Sequence, residues 1–321
     1  MDQSFLEDAQ GFKPAIGVLT MSLSGNNIGE GGYDQYMLGV NRQYVELAGN
    51  VAVPIRFDLP EDELLALLSQ LNGVLFTGGN LILVNPKTGE HHQYYKTAKT
   101  IFQYAKDMKD KHNDYFPLFG NCQGFQVFCM IVSGDYKDLL TVMPALSTIR
   151  KIIWTSDSIK QEGKMISHFS DELIQKMREY PLAIHAHQYA IDSRDFEQFE
   201  SLKAFWKILA VDEFLFGFKH YPTIIEAHDY PIYAVLFHPE YQLMKLDPKS
   251  PVYHRNDWRE DTDLIAQNWS SFIRSESTKC SHRVRKEELH RLVNEGKQEF
   301  DYVFIPNVFS LPAVRYRKAI E

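Results

Sequence analysis

Cysteine is scarce: three occur in 321 residues, Cys122, Cys129 and Cys280, and an odd number cannot pair completely. A disulfide-stapled scaffold is thereby excluded, and the spacing forms neither a CxxC pair nor a zinc knuckle. Long apolar runs are missing too. The densest, Val127–Val132, is six residues long, against the roughly 20 that span a bilayer. Positive charge is not in excess: 34 Lys and Arg face 42 Asp and Glu, for a net charge of −8. That balance excludes nucleic acid as a partner, because phosphate neutralisation needs a basic surface. Internal repeats and low-complexity linkers are absent, and Met1–Lys13 is polar and acidic, so no signal peptide is legible. Ser24-Gly25 and Gly29-Glu30-Gly31-Gly32 are not followed by Lys-Ser/Thr, which makes them a loop near a pocket rather than a phosphate cradle.

What is present is a 44 % apolar, 24 % charged chain, the composition of a large α/β or α+β globular protein. Ala15–Thr20, Val51–Phe57, Gly73–Thr77 and Tyr115–Phe119 are short apolar runs that predict strands. Helical spacing covers Asp34–Ala48, the segment from Pro60 through Leu71, Gln93–Lys111 and Gln123–Val132. Alternation of this kind predicts a mostly parallel central sheet with helices on both faces. Beyond residue 135 the pattern is less regular. Leu182–Ala190 and Ile232–Phe237 predict strands, Phe196–Phe205 is ambiguous, Asp261–Ser275 and Arg283–Lys297 predict helices, and the apolar run Tyr302–Phe309 is expected to fold back on the body.

Gly120-Asn121-Cys122-Gln123-Gly124 joins an apolar strand to an apolar helix. A nucleophile on such a turn needs strained backbone, and glycine two residues to either side removes the clash that side chains would cause. Cys122 then stands at a helix N-terminus, where the macrodipole favours thiolate, and the N–H of Gln123 is placed to serve an oxyanion. Cys129, seven residues on in the same apolar helix, reads as core.

A thiol nucleophile needs an imidazole, and the imidazole a carboxylate that fixes its tautomer. Tyr233–Phe237 runs into His238-Pro239-Glu240, where an extended chain would send His238 and Glu240 to the same side. Gly78-Gly79 ends the third strand, so the Gly79 N–H is a candidate second oxyanion donor. All three motifs fall at carboxyl ends of proposed parallel strands, where open α/β sheets place their ligands. His185, His187 and His91-His92 could suggest a metal, but no carboxylate or Cys follows at ligand spacing, and neither metal nor organic cofactor is expected. Asn268-Trp269-Ser270 fits a glycosylation sequon but lies in a helical pattern.

Taken together, PAIGVL at Pro14–Leu19, YVELAGNVAVPI at Tyr44–Ile55, NGVLFTGGN at Asn72–Asn80, YFPLFGNCQGF at Tyr115–Phe125 and YPIYAVLFHPE at Tyr230–Glu240 give a chain that resembles the gamma-glutamyl hydrolases (folate polyglutamate hydrolases) of the class I glutamine-amidotransferase-like superfamily. The resemblance implies a flavodoxin-like α/β fold, Cys122 as nucleophile, His238 as its base and Glu240 supporting the imidazole. It also implies that His187, in LAIHAHQYA, is a further active-site histidine, that Tyr36 contacts substrate, and that Gln123, Gly79 and Gln126 lie at the substrate. The implied substrate is a small γ-glutamyl compound, with no nucleic acid partner and no membrane span. A homodimer is the implied assembly, and the implied setting is lysosomal, vacuolar or extracellular. Residues 1–13 are expected as an extension and 14–321 as one catalytic domain with the tail 281–321 packed on it. Two departures stand out. The family's Cys-Leu-Gly-Phe-Glu is Cys122-Gln123-Gly124-Phe125-Gln126 here, and its His-Lys-Trp is His187-Gln188-Tyr189. Other readings of the same motifs are a glutaminase, or a hydrolase acting on another γ-glutamyl compound. A catalytically silent structural subunit is a third.

Overall fold

The computed structural model describes residues 7–8, 11–23, 34–136, 138–214, 217–243, 259–294, 297–305 and 309–316. The architecture is α/β, with a mostly parallel central sheet accompanied by helices. The chain forms two compact units, residues 1–118 with 273–321, and residues 119–272.

In the first unit, strands Val51–Ile55 and Val74–Phe76 flank Ala15–Leu19 in parallel register, with Gly17 opposite both Val53 and Val74. Ala15, Ile16, Val18 and Leu19 are wholly buried, which is why this strand reads as one apolar run instead of an alternation. Helix Glu61–Leu68 opens with Glu61, Asp62 and Glu63 at the positive end of its dipole. Helix Gln93–His112 is capped at its start by His92 Nδ1, which accepts from the Tyr94 N–H at 3.1 Å, and at its end by left-handed Asn113.

The helix predicted over Asp34–Ala48 is shorter than its pattern. Gln35–Leu38 is a strand and the helix covers only Gly39–Glu46. Gln35–Leu38 pairs antiparallel with Met21–Ser22 on one side and Phe309–Tyr316 on the other. Gln35 pins it further, its Oε1 accepting from Thr20 Oγ1 at 2.6 Å and from the Phe57 N–H at 3.1 Å. Ladder bonds to a segment some 275 residues away override the local helical period. The tail forms helix Lys286–Asn294 and a hairpin of Lys297–Ile305 with Phe309–Tyr316; the middle of the apolar run Tyr302–Phe309 and the glycine loop at 24–33 lie outside the described residues.

In the second unit, strand Leu118–Asn121 begins three residues later than predicted, past Pro117. Helix Gln123–Val132 follows with the predicted bounds. Strand Ile232–Val235 pairs antiparallel with Lys219–Ala227, which pairs with Trp206–Phe214, and that in turn with Ile153–Trp154. Thr141–Arg150 and Ala183–Ala190 form a separate antiparallel ribbon. Phe196–Phe205 resolves into two short helices, Ser193–Gln198 and Glu200–Phe205. Helix Arg259–Ser277 buries Trp269 against Phe169 and Phe237. Asn268 and Ser270 of the sequon sit within it, with Ser270 wholly buried. Among the described residues, no helix is long and apolar enough to cross a membrane.

Candidate active site

Strand Leu118–Asn121 and helix Gln123–Val132 leave Cys122 alone to make the turn. Its backbone takes φ 49° and ψ −99°, a conformation that costs any residue bearing a Cβ. A Cβ on Gly120 would meet Phe128 Cε2 at 2.8 Å and the Gly124 carbonyl carbon at 2.9 Å, so the glycine of this elbow is a steric requirement.

Two main-chain bonds gather the other residues around the elbow. The Cys122 N–H donates to Val235 O at 2.8 Å, tying it to strand Ile232–Val235. The His238 N–H, just past that strand, donates to Ile184 O at 2.8 Å on strand Ala183–Ala190. The chain after His238 is not extended as predicted. Pro239–Leu243 is a 3₁₀ turn, and it folds the Glu240 carboxylate back onto the ring instead of presenting it along a strand.

The outcome is a buried polar chain. His238 Nδ1 lies 2.9 Å from Glu240 Oε1, and Asn121 Nδ2 donates to Glu240 Oε2 at 2.8 Å, so both carboxylate oxygens are occupied. The Tyr241 ring stacks on His238 with centroids 4.0 Å apart and planes 9° off parallel. Burial pushes the imidazole down, but the charges of Cys122 and Glu240, and hydrogen bonding to both, push harder in the other direction and raise His238 to about 10. His238 Nε2 is buried and makes no well-directed hydrogen bond in this state, though the Cys122 thiol is near enough to act on the ring. Cys122 is 3 % exposed. Cys129 is wholly buried, and burial raises its thiol well above the ordinary range, consistent with core. Cys280, in the first unit, is raised to about 11 chiefly by burial. All three thiols are free.

The other predicted residues divide. His187 is brought to the site: it is 2 % exposed and within electrostatic reach of His238. Its neighbour two residues back, His185, is wholly buried, and His185 Nδ1 lies 3.2 Å from His187 Nε2. The His187 ring meets Tyr221 edge-on at 5.4 Å, and the Tyr221 hydroxyl donates to Asp212 Oδ2 at 2.7 Å. Arg150 Nη1 lies 3.3 Å from the same carboxylate oxygen. Gln123 is the first residue of the elbow helix and is buried. Gln126, one turn on, donates its Nε2 to Tyr189 O at 2.8 Å. Tyr36 belongs to strand Gln35–Leu38 and Gly79 to the loop after Val74–Phe76, both in the first unit; burial raises the Tyr36 hydroxyl to about 12.

Asn121 was not singled out from the sequence, nor were Tyr221 and Asp212. For Asn121 a signal existed, since a polar amide sits inside an otherwise apolar strand end one residue before Cys122. Its partner Glu240 is 119 residues away and gives no local hint. Among the described residues, no group of three or more His, Cys, Asp or Glu is placed to hold a metal ion.

Known proteins are similar to this chain over most of its length. The Peptidase C26 family profile matches residues 14–240. The chain is 31 % identical to gamma-glutamyl hydrolase B of Dictyostelium discoideum over 281 residues, covering 86 % of this chain and 75 % of that one. It is 28 % identical to human gamma-glutamyl hydrolase over 298 residues, covering 92 % and 85 %. Among solved structures, the glutaminase domain of Trypanosoma brucei CTPS with bound acivicin aligns with a TM-score of 0.50 at 16 % identity, over 85 % of this chain and 100 % of that domain. That likeness concerns the fold, which is class I glutamine-amidotransferase-like.

Proposed function

The chain belongs to the Peptidase C26 family, and on that premise we propose that it is a cysteine-dependent hydrolase of γ-glutamyl amide bonds, with folate polyglutamates as substrate. The observation that carries this reading is the buried chain Cys122–His238–Glu240–Asn121, in which the imidazole is raised to about 10 and so keeps its proton at neutral pH. In the acylation step the Cys122 sulfur attacks the γ-carbonyl carbon, and the N–H of Gln123, the residue after the nucleophile, donates to the oxyanion. As the C–N bond breaks, His238 gives its proton to the leaving amine and a thioester remains on Cys122. Water then attacks the thioester, with its proton passing to His238, and the acyl product leaves with a free γ-carboxylate as Cys122 is regenerated; where the terminal bond is cut, the amine lost in the first step is glutamate. Glu240 holds its hydrogen bond to Nδ1 throughout, so Nε2 is the nitrogen that works.

Replacing Cys122 with Ala abolishes release of glutamate from a pteroylpolyglutamate on this reading; unchanged turnover would sink it.

Gln126 favours a second reading in which the same chemistry serves another γ-glutamyl compound. Its amide nitrogen is committed to Tyr189 O, and an amide offers no charge to a substrate ammonium. Glutamate release from a pteroylpolyglutamate, a γ-glutamyl amine and a glutathione-like peptide, measured on one preparation, separates the two.

A further inference from the structure

His238, Pro239, Glu240 and Tyr241 are consecutive in the chain, and the mechanism above uses the first and the third. Pro239–Leu243 is a 3₁₀ turn, and the Tyr241 N–H donates back to His238 O at 3.3 Å. Side chains three residues apart in this geometry eclipse one another. The turn that folds the Glu240 carboxylate onto His238 Nδ1 therefore also lays the Tyr241 ring over the imidazole. The ring centroids are 4.0 Å apart and the planes 9° from parallel. His238 is 1 % exposed and Tyr241 4 %, so the contact is desolvated.

Flat stacking at this distance is unusual for two neutral rings. Their quadrupoles favour offset or edge-on arrangements, with centroids about 4.5–7 Å apart. A positively charged ring has the opposite preference, because the face of a phenol is its negative surface. Other histidines of the chain supply the contrast. His185 meets Phe237 at 5.9 Å with planes 43° apart, and His187 meets Tyr221 at 5.4 Å and 80°. His92 meets Phe57 at 5.5 Å and 53°. Burial lowers all three below the ordinary histidine value, which leaves them neutral. The flat, close stack falls instead on His238, the histidine that is raised.

The titratable groups around His238 come from three elements. Cys122 on the elbow and Glu240 on the turn favour the imidazolium. His185 and His187 on strand Ala183–Ala190 would oppose it if they were charged, and burial keeps them neutral. Glu240 holds the ring by its Nδ1 edge, whereas Tyr241 covers a face. An imidazolium against the negative face of a phenol, away from water, is stabilised over the neutral ring, which gains little from the same face.

We propose that Tyr241 is a positioning residue for the reaction: its ring face holds the His238 imidazolium in a cation–π contact and so keeps on that ring the proton given to the leaving amine. Only the identity of the leaving amine is taken from the functional reading above.

Two sets of variants of the full chain, carrying ¹⁵N-labelled histidine, test this contact. Proton–nitrogen NMR follows His238 from imidazolium to neutral ring as pH rises. Tyr241→Leu removes the aromatic face and should lower the His238 titration by about one pH unit, tenfold in acid strength, the effect of a desolvated cation–π contact. Tyr241→Phe keeps the face, loses the hydroxyl and should recover most of that shift. Phenylalanine at 241 with increasing ring fluorination keeps the shape and drains electron density from the face, so the titration should fall stepwise along the series. The basic limb of kcat/KM for glutamate release should move down with it. The acidic limb should stay, because the imidazolium is present on both sides of thiol ionisation. A His238 titration unmoved in Tyr241→Leu, an equal shift in Tyr241→Phe, or a flat fluorinated series would each overturn the proposal. The fluorinated series decides if Tyr241→Leu fails to fold. If the series moves His238 while the wild type releases no glutamate from a pteroylpolyglutamate, the substrate reading fails and the assignment of Tyr241 stands.

Discussion

Acid should destabilise this protein through two imidazoles that refuse protons. In the unfolded chain His185 and His187 titrate near the ordinary 6.5, whereas in the folded protein burial keeps the first unprotonated down to about 3 and the second lowered still in the same direction. A base whose folded value is depressed leaves the unfolded state binding more protons, so stability rises with pH across the interval and falls as acid is added. Each such histidine costs RT ln of the ratio of unfolded-state binding terms. From about pH 7.5 to about pH 5.5 that is about 1.4 kcal/mol, and the pair together about 2.7 kcal/mol. The loss starts as pH falls past the unfolded value, above the range in which carboxylates protonate.

Urea denaturation repeated across this pH range measures the slope. His185→Asn removes one of the two groups and should lower the pH-dependent loss by about 1.4 kcal/mol, whatever its effect on absolute stability. The slope carries the test and the offset does not. His238, raised to about 10, contributes with the opposite sign, so the difference between wild type and variant is decisive: a slope that His185→Asn leaves untouched would show that His185 takes up a proton in the folded state and would refute the argument.

Two other perturbations follow from the elbow and the carboxylate. Glu240→Gln keeps the shape between His238 Nδ1 and Asn121 Nδ2 and removes the charge. A buried hydrogen bond to a charged group is worth about 1.5–3 kcal/mol, so the basic limb of the kcat/KM profile should move down by about one to two pH units; an unmoved limb would show that Glu240 does not sustain the raised imidazole. At Cys122, φ 49° and ψ −99° reverse the usual ranking of small residues. Cys122→Gly should be more stable to heat than Cys122→Ala by about 1 kcal/mol, both being inactive, because only glycine relieves the backbone; an alanine variant of equal or greater stability would remove the strain from the account.

How much of this was visible in the sequence depended on whether the determining partner was near in the chain. Ala15–Leu19 and the helix from Gln123 to Met130 are buried on all sides, so their apolar runs identified them without reference to anything distant. The elbow was legible for the same reason: Gly120 answers a clash within a span of nine residues, against Gly124 and Phe128. Gln35–Leu38 was misread because its partners are Met21–Ser22 and a segment near the C-terminus. Strand Lys219–Ala227 was missed because it carries Pro222 and the buried Glu226, residues that argue against a strand. Glu226 is tolerated there because its carboxylate accepts from the N–H groups of Lys164 and Met165, some 60 residues earlier.

The same distinction separates the parts of the site. Cys122, His238 and Glu240 could be proposed from the sequence because a turn must be built around each of them, and turns leave local marks. Asn121 and His185 leave none, since each is defined by the atom it meets: Glu240 Oε2 for one and His187 Nε2 for the other. Yet these two contacts decide the protonation of the residues that the sequence did supply. Asn121 occupies the carboxylate oxygen that His238 does not use, which leaves Glu240 Oε1 for Nδ1 and therefore Nε2 for the thiol. His185 likewise takes up one nitrogen of His187 and couples the tautomers of the two rings. Substitutions at Asn121 and His185 should therefore be read first in proton positions and pH profiles, and only second in the amount of folded protein.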